Sequence, residues 1–220
     1  MPEAMKRVQA VKAFRLASKS APTRALADTS TRFHVENMPG GPWLLLPEVS
    51  SERRHYIPIG FEAPTTLGSN LVKIIAGASL FHFGILTSTM HNAWVRTTCG
   101  RLKSDYRYSA AIVYNNYPWP EAPTDAQKAA IEAAAQTVLD TRAQFPSSTL
   151  ADLYDPLTMP PALLKAHQKL DAAVDAGYAA KRAFKTDAER VAFLFERYQR
   201  ITSLLPAAPV AKRSRRGVNA

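Results

Sequence analysis

Residues 118–123 read PWPEAP and divide the chain into two parts with different amino-acid patterns. Before this stretch, apolar residues occur in short runs rich in Val, Ile, Tyr and Phe, which Pro and Gly interrupt. After it, the chain is rich in alanine and its apolar residues recur at helical spacing. The pattern predicts an α+β protein, with a mixed α/β domain over residues 1–120 and a small C-terminal helical bundle over residues 121–206. A basic, disordered tail is expected over residues 207–220.

The helices of the second part are marked by their first residues. Thr124 with Gln127, and Thr186 with Glu189, form capping boxes, in which each side chain of the pair bonds the other's backbone N–H. Pro160 and Pro161 suit the start of another helix because proline lacks the N–H that a first turn leaves unpaired. The predicted helices cover about residues 124–143, 150–154, 161–178 and 186–201.

The first part mixes extended and helical patterns. A helix is expected from Leu80 to Thr98, closed by the glycine at position 100, while Leu71 to Ala76 suits a strand or a helix equally. Strands or extended segments are predicted at Arg32–Glu36, Trp43–Pro47, His55–Phe61, Arg101–Ser109 and Ala111–Tyr117.

The net charge of +10 is distributed unevenly. Residues 1–120 hold 14 Lys and Arg against 7 Asp and Glu, whereas residues 121–206 hold 10 against 11. The tail adds four cations, at Lys212, Arg213, Arg215 and Arg216. The basic surplus of the first part indicates a polyanionic partner, although charge that serves only solubility would look the same.

Several classes of chemistry find no support in the sequence. The single cysteine, Cys99, excludes an internal disulfide and suits a reducing cytoplasm, and no run reaches the ~18 apolar residues of a membrane helix. The nine glycines form no nucleotide-binding motif, and the five histidines show no metal-binding spacing. Asn115-Asn116-Tyr117-Pro118 only approaches the catalytic tetrapeptide of amino-methyltransferases, since no Pro-Pro follows the Asn. We therefore expect no catalytic residue and no metal site in this chain.

Cations, hydroxyls and aromatic residues are concentrated in residues 50–56 and 96–109. If Arg101 to Ser109 is one extended strand, Arg101, Lys103, Asp105 and Arg107 lie on one side. Such a row can bond the base edges of DNA, but a solvated edge strand protected by its charges has the same pattern. Phosphate contacts are predicted from Arg53, Arg54, Arg96, Arg101 and Ser109.

A resemblance favours the DNA interpretation. The segments SSERRHYIPIGF (50–61), FGILTSTMHNAWVRTTCGRLKSDYRYS (83–109), IVYNNYPWP (112–120), LADLYDPLTMPPALLKAHQKLD (150–171) and ERVAFLFERYQ (189–199) resemble the C-terminal part of MmeI-like (type IIL) DNA methyltransferases. In that family one polypeptide carries an endonuclease, a helical spacer, an adenine-N6 methyltransferase that uses S-adenosylmethionine, a target-recognition domain and a C-terminal helical domain. This chain corresponds to the last two of these, as a fragment or a subunit.

The resemblance implies which side chains read bases. Lys103 and Asp105 form one pair, which is expected to favour guanine on the strand that is read, because lysine donates to guanine and aspartate accepts from the paired cytosine. The other implied pairs are Arg107 with Leu71 and Glu48 with Asn70.

The sequence thus predicts a module that recognises double-stranded DNA for a methyltransferase domain that binds S-adenosylmethionine. Two alternatives stay open. A divergent complete methyltransferase would itself bind S-adenosylmethionine, and an interaction protein with a basic surface would bind nucleic acid without preference for a sequence.

Overall fold

The computed structural model describes residues 1–36, 38–178 and 184–203. Within these ranges eight α-helices form: α1 (Pro2–Leu16), α2 (Ala21–Ala25), α3 (Leu80–Thr87), α4 (Thr89–Thr98), α5 (Asp125–Ala143), α6 (Leu150–Leu153), α7 (Pro161–Gly177) and α8 (Asp187–Thr202). The strands described are β1 (Trp43–Pro47), β2 (Val49–Ser50), β3 (Gly60–Glu62), β4 (Val72–Ala76), β5 (Gly100–Leu102) and β6 (Asp105–Arg107). The predicted α+β class with a helical C-terminal part is confirmed. The predicted tail lies outside the described residues.

The strands form two small antiparallel sheets. One has the order β3-β1-β4, with Leu45 opposite both Gly60 and Ile74. The other has the order β2-β6-β5, with Ser50 opposite Tyr106. Glu48 alone separates β1 from β2, so one extended segment belongs to both sheets and changes partners at this residue.

Several predicted elements of the first part differ in the structure. The single helix over Leu80–Thr98 is wrong, because Ser88 is extended and caps α4 by accepting a hydrogen bond from the His91 N–H. The strand over Arg32–Glu36 is wrong, because the Glu36 carboxylate binds the Arg32 guanidinium and the Phe33 N–H, which closes the segment on itself.

The extended segment over Ala111–Tyr117 is also wrong. Ala110–Tyr114 is a π-helical turn, in which the Asn115 N–H donates to the Ala110 carbonyl at 2.9 Å. Within the predicted strand over His55–Phe61, only the end belongs to β3, and the ambiguous segment at 71–76 forms β4.

The mixed part and the helical part share one hydrophobic core. Helix α3 packs on α5, α5 packs on α7, and α4 packs on α8. The close approach of α3 to α5 needs Gly84, because a Cβ there would lie 2.8 Å from Cγ2 of Ile131. Leu44 of β1, Ile131 of α5, Leu170 of α7 and Leu194 of α8 are all fully buried in this core. The helical part therefore packs on the mixed part through α3 and α4.

The amino-terminal segment packs chiefly on itself, through α1, α2 and the 3-10 turn at Leu26–Thr29. Arg15 joins these pieces by donating to the carbonyls of Leu26, Thr29 and Arg32. Across the part of the chain that the structure describes, no helix is both long and apolar enough to cross a membrane.

Candidate nucleic-acid interface

Glu48 lies where the two sheets meet. Its N–H donates to the Leu71 carbonyl at 2.8 Å and its carbonyl accepts from the Tyr108 N–H at 2.7 Å. These two bonds extend the ladder of β4 and the ladder of β6 by one residue each. Glu48 is therefore fixed between Leu71 on one side and the end of β6 on the other.

The carboxylate of Glu48 forms an ion pair with one cationic side chain from each sheet. Lys73 Nζ of β4 lies 2.8 Å from Oε2, and Arg107 Nε of β6 lies 3.2 Å from Oε1. The hydrogen bonds from Lys73 and then from Arg107 lower the pKa of Glu48 below its ordinary value. Glu48 is thus a fixed, ionised acceptor, and its side chain is only 13% exposed.

The other predicted base-reading residues of this junction stand at the surface. Leu71 is 59% exposed, and Asn70 beside it is exposed as well. The Leu71 N–H bonds the Ser69 hydroxyl, which fixes the short turn before β4. The structure therefore brings Glu48, Asn70, Leu71 and Arg107 to one place, although they are up to 59 residues apart in the chain.

Lys103 and Asp105 lie on a hairpin, and the prediction of one strand over Arg101–Ser109 is wrong. Strands β5 and β6 pair with Leu102 opposite Asp105, so Lys103 and Ser104 form a two-residue turn. Lys103 is the first residue of this turn and has a φ of +56°, in the left-handed region. Glycine commonly occupies this position in two-residue hairpin turns, because it adopts a positive φ without strain. The turn places the Lys103 side chain at the exposed tip of a two-stranded ribbon.

The hairpin also changes where Arg101 points. Residues that pair directly across antiparallel strands share a face, so Arg101 lies with Tyr106, and Asp105 and Arg107 lie on the other face. The Arg101 guanidinium stacks over the Tyr106 ring, 4.2 Å from its centre. The predicted row of Arg101 with Asp105 and Arg107 on one side is therefore wrong.

The segment after β2 runs beside the hairpin. The Glu52 N–H donates to Oδ1 of Asp105 at 3.3 Å, and the Glu52 carboxylate lies 3.7 Å from Arg101 Nη1. No partner of Asp105 Oδ2 is found in the described residues. This oxygen is placed to accept a further hydrogen bond.

Arg53, Arg54 and Arg96 line one cleft of about 570 Å³ between this segment and helices α4, α7 and α8. Arg96 is already engaged, since it binds Asp187 at 2.6 Å and the His55 carbonyl. Arg54 Nε is buried without a hydrogen-bond partner among the described residues. Of the three cations, Arg53 and Arg54 are thus the ones whose guanidinium groups have no partner among the described residues.

Ser109, the remaining predicted phosphate contact, is half-buried and caps the π-helical turn. Its hydroxyl accepts from the Ile112 N–H at 3.4 Å. This geometry gives Ser109 a role in the backbone path after β6. A phosphate contact from Ser109 stays a prediction.

The groups that most resemble catalytic residues have structural partners. His91 bonds the Leu86 carbonyl and the Tyr108 hydroxyl, and His167 bonds the Tyr154 hydroxyl. Burial lowers the pKa of His91 to about 4 and that of His167 to about 3, so both rings are neutral near pH 7. Among the described residues, no group of His, Cys, Asp and Glu is placed to hold a metal ion.

The sequence alone did not point to Lys73. One signal was available, because Lys73 of β4 lies two positions after Leu71, which directly precedes the strand in extended pairing with Glu48, and residues two apart share a face. Asp171 and Arg142, which hold the neighbouring loop from helices α7 and α5, carried no signal, since their contacts join distant parts of the chain.

Comparison with known proteins identifies the family of this chain. The family model described as MmeI, target recognition domain, matches residues 1–121, and that described as MmeI, C-terminal domain, matches residues 123–206. DNA methyltransferase A of Bacillus subtilis (strain 168) is 41% identical over 201 residues, which are 91% of this chain and 22% of that protein.

A solved structure of the Type IIL restriction-modification enzyme MmeI in complex with DNA is similar over 93% of this chain and 27% of that one. The identity is 49% and the TM-score is 0.84. The chain thus spans about a quarter of the length of these relatives. By these matches, this chain belongs to the MmeI family, to which its target recognition domain and its C-terminal domain both assign it.

Proposed function

We propose that this chain recognises a specific sequence of double-stranded DNA on behalf of a restriction-modification methyltransferase. The observation that carries the proposal is the junction of the two sheets, where Glu48, Leu71 and Arg107 meet beside an exposed hairpin. Its support is the family membership and the likeness to a protein solved in complex with DNA.

The chemistry of the junction suits the major groove. That groove admits a two-stranded β-ribbon, and the β5–β6 hairpin is such a ribbon with Lys103 at its tip. Lysine and arginine donate to guanine O6 and N7, carboxylates accept from cytosine N4, and asparagine suits adenine. Leu71 supplies an apolar contact of the kind that a thymine methyl group favours.

Phosphate contacts would add affinity without sequence information. Arg53 and Arg54 are the best placed for this, because they line an open cleft next to the segment that touches the hairpin. Each phosphate that a cation neutralises releases counterions, so binding is expected to weaken steeply with salt.

Catalysis is assigned to a domain outside this chain. An adenine-N6 methyltransferase domain that binds S-adenosylmethionine would act on a base that is turned out of the duplex, while this chain fixes the register on the DNA. S-adenosylmethionine and the methyltransferase domain are therefore the cofactor and the partner of the whole assembly in this proposal.

Selection from a randomised duplex library tests the proposal with this chain. The wild type is expected to enrich one sequence, and the double variant K103E/D105R is expected to change the preferred base pair at one position. D125R/K128E is a matched control, because Asp125 and Lys128 form an exposed ion pair on α5. A wild type that enriches no sequence at low or moderate salt would contradict sequence recognition and favour binding without specificity.

A further inference from the structure

Lys73 binds Glu48 at the base-reading junction and is not itself expected to read a base. Its register on β4 explains its position: Lys73 pairs with Leu46, two residues before Glu48 on β1. Residues two apart in a strand share a face, so Glu48 and Lys73 are diagonal neighbours on one face of the sheet. The lysine bonds Glu48 Oε2 at 2.8 Å, with its own side chain 34% exposed.

The second oxygen of the same carboxylate holds Arg107. The bond uses Nε at 3.2 Å, and no partner of the two terminal guanidinium nitrogens is found in the described residues. The Arg107 side chain is 59% exposed. The contact with Glu48 therefore fixes the stem of Arg107 and leaves the outer edge of its guanidinium, which can bond guanine O6 and N7, directed away from the carboxylate.

One carboxylate thus connects two cations from two sheets. If Lys73 is removed, Glu48 Oε2 loses its charge-assisted bond, and the carboxylate can rotate toward Arg107 and bind it through both oxygens. That rotation would move the Glu48 carboxylate, which is the acceptor of the pair with Asn70. It would also occupy a terminal guanidinium nitrogen of Arg107, which is the donor of the pair with Leu71. The positions of Glu48 and of Arg107 are coupled through Lys73.

We propose that Lys73 is a positioning residue that couples recognition at two base pairs, the one read by Glu48 with Asn70 and the one read by Arg107 with Leu71. The inference rests on the proposed function. Its consequence is that specificity at these two base pairs changes together, whereas the base pair read by Lys103 and Asp105 stays independent. Substitutions at Glu48 and Arg107 should accordingly be non-additive.

The test is a quantitative selection from a randomised duplex library with the full chain. The three base pairs are first assigned from the changes in preference that Asn70→Asp, Leu71→Gln and Asp105→Arg produce. K73M is then compared with K73R, which keeps the cation. K128M is the matched control, because Lys128 has the same charge on α5 and forms an exposed ion pair.

K73M is expected to lower discrimination about ten-fold at each of the two coupled base pairs, the size of one lost bidentate contact, and to leave the third unchanged. K73R should keep most of the discrimination, and K128M should keep all of it. An unchanged K73M profile, or an equal loss at all three base pairs, overturns the coupling. A wild type without any preferred sequence overturns the proposed function, and the coupling with it.

A second measurement needs no DNA and serves if K73M folds poorly. The Glu48 carboxyl is followed by NMR titration in the wild type and in K73Q, whose shorter neutral side chain keeps a donor. The pKa of Glu48 is expected to rise in K73Q, because the hydrogen bond from the Lys73 ammonium, the largest cause of the lowered pKa, is replaced at best by a weaker bond from a neutral amide. An unaltered pKa would show that Lys73 does not hold the carboxylate, and the coupling would be overturned.

Discussion

The Tyr56 hydroxyl donates a hydrogen bond of 2.7 Å to Oδ2 of Asp171, on helix α7 and 115 residues further along the chain. The same carboxylate accepts from the N–H and the hydroxyl of Thr89, at 2.7 and 2.6 Å. The Tyr56 ring stacks on His167 of the same helix, with 4.1 Å between ring centres. The segment that carries Arg53 and Arg54 is therefore held by the helical part of the molecule.

Asp171→Ala should destabilise the fold by about 2–4 kcal/mol, because three donors in a part-buried network lose their acceptor. Asp171→Asn should cost less, since an amide oxygen still accepts and since burial already raises the pKa of the carboxyl. Urea unfolding measures both. Asp140, exposed on α5, gives the control Asp140→Ala. If D171A unfolds at the same urea concentration as D140A, the network does not stabilise the fold.

Arg142 of α5 makes the corresponding link to β3. It donates to the Ile59 carbonyl at 2.7 Å and to the Tyr154 hydroxyl, and its guanidinium lies 5.1 Å from the centre of the Phe83 ring. Arg142→Met keeps the contact with Phe83 but leaves two buried oxygens without their donor. A loss of about 3 kcal/mol is expected in urea unfolding.

The control for this change is Arg200→Met, which removes an exposed cation near the end of α8. Because Ile59 directly precedes β3, R142M should also speed hydrogen exchange of the amides in β3 and β1. A loss of stability without faster exchange in these strands would mean that Arg142 supports the helices alone.

Stability should fall between about pH 6.5 and pH 4, because the buried histidines His91 and His167 stay neutral in the fold. Their pKa values are lowered to about 4 and about 3, so in this interval the unfolded chain binds more protons than the folded one. Each histidine contributes at most about 1.4 kcal/mol per pH unit. Unfolding in urea at about pH 7.5 and about pH 5 measures the difference.

His167→Gln should be less stable than the wild type near neutral pH and less sensitive to acid, since one of the two histidines is gone. His34→Gln removes an exposed histidine and should leave the pH dependence unchanged. A pH dependence of H167Q equal to that of the wild type would rule out His167 as a source of acid sensitivity.

The sequence predicted elements whose signals are local. The capping box of Thr124 and Gln127 is confirmed by bonds of 3.2 and 2.9 Å, and α8 begins after Thr186 as expected. The end of α3 at Ser88 was missed because apolar periodicity continues across a serine that prefers to cap.

At the interface, too, the features that the sequence did not predict depend on contacts between distant residues or on a turn without its usual residues. Alternation failed at β5 and β6 because the turn at Lys103 and Ser104 contains no glycine or asparagine to announce it. The meeting of Glu48 with Arg107 depends on pairing between distant strands, which neither periodicity nor charge reveals. The resemblance supplied Glu48 and Arg107 as candidates. Lys73 could be identified only from the register of the strands in the structure.

Lys103→Gly should separate the backbone strain of the hairpin from its role in recognition. A non-glycine residue in the left-handed region is strained, and glycine at φ +56° would relieve that strain. Glycine also makes the unfolded chain more flexible, which offsets part of the gain, so a net stabilisation of about 0.5–1 kcal/mol is expected. The same change removes the donor at the tip of the ribbon, so discrimination at one base pair should fall about ten-fold in a duplex selection. Ser104→Gly is the matched control: the neighbouring residue has no positive φ, so glycine there brings no relief and Lys103 keeps its donor. If K103G gains stability and also keeps its base preference, Lys103 does not read DNA, and the strained turn must be explained by another contact of the hairpin.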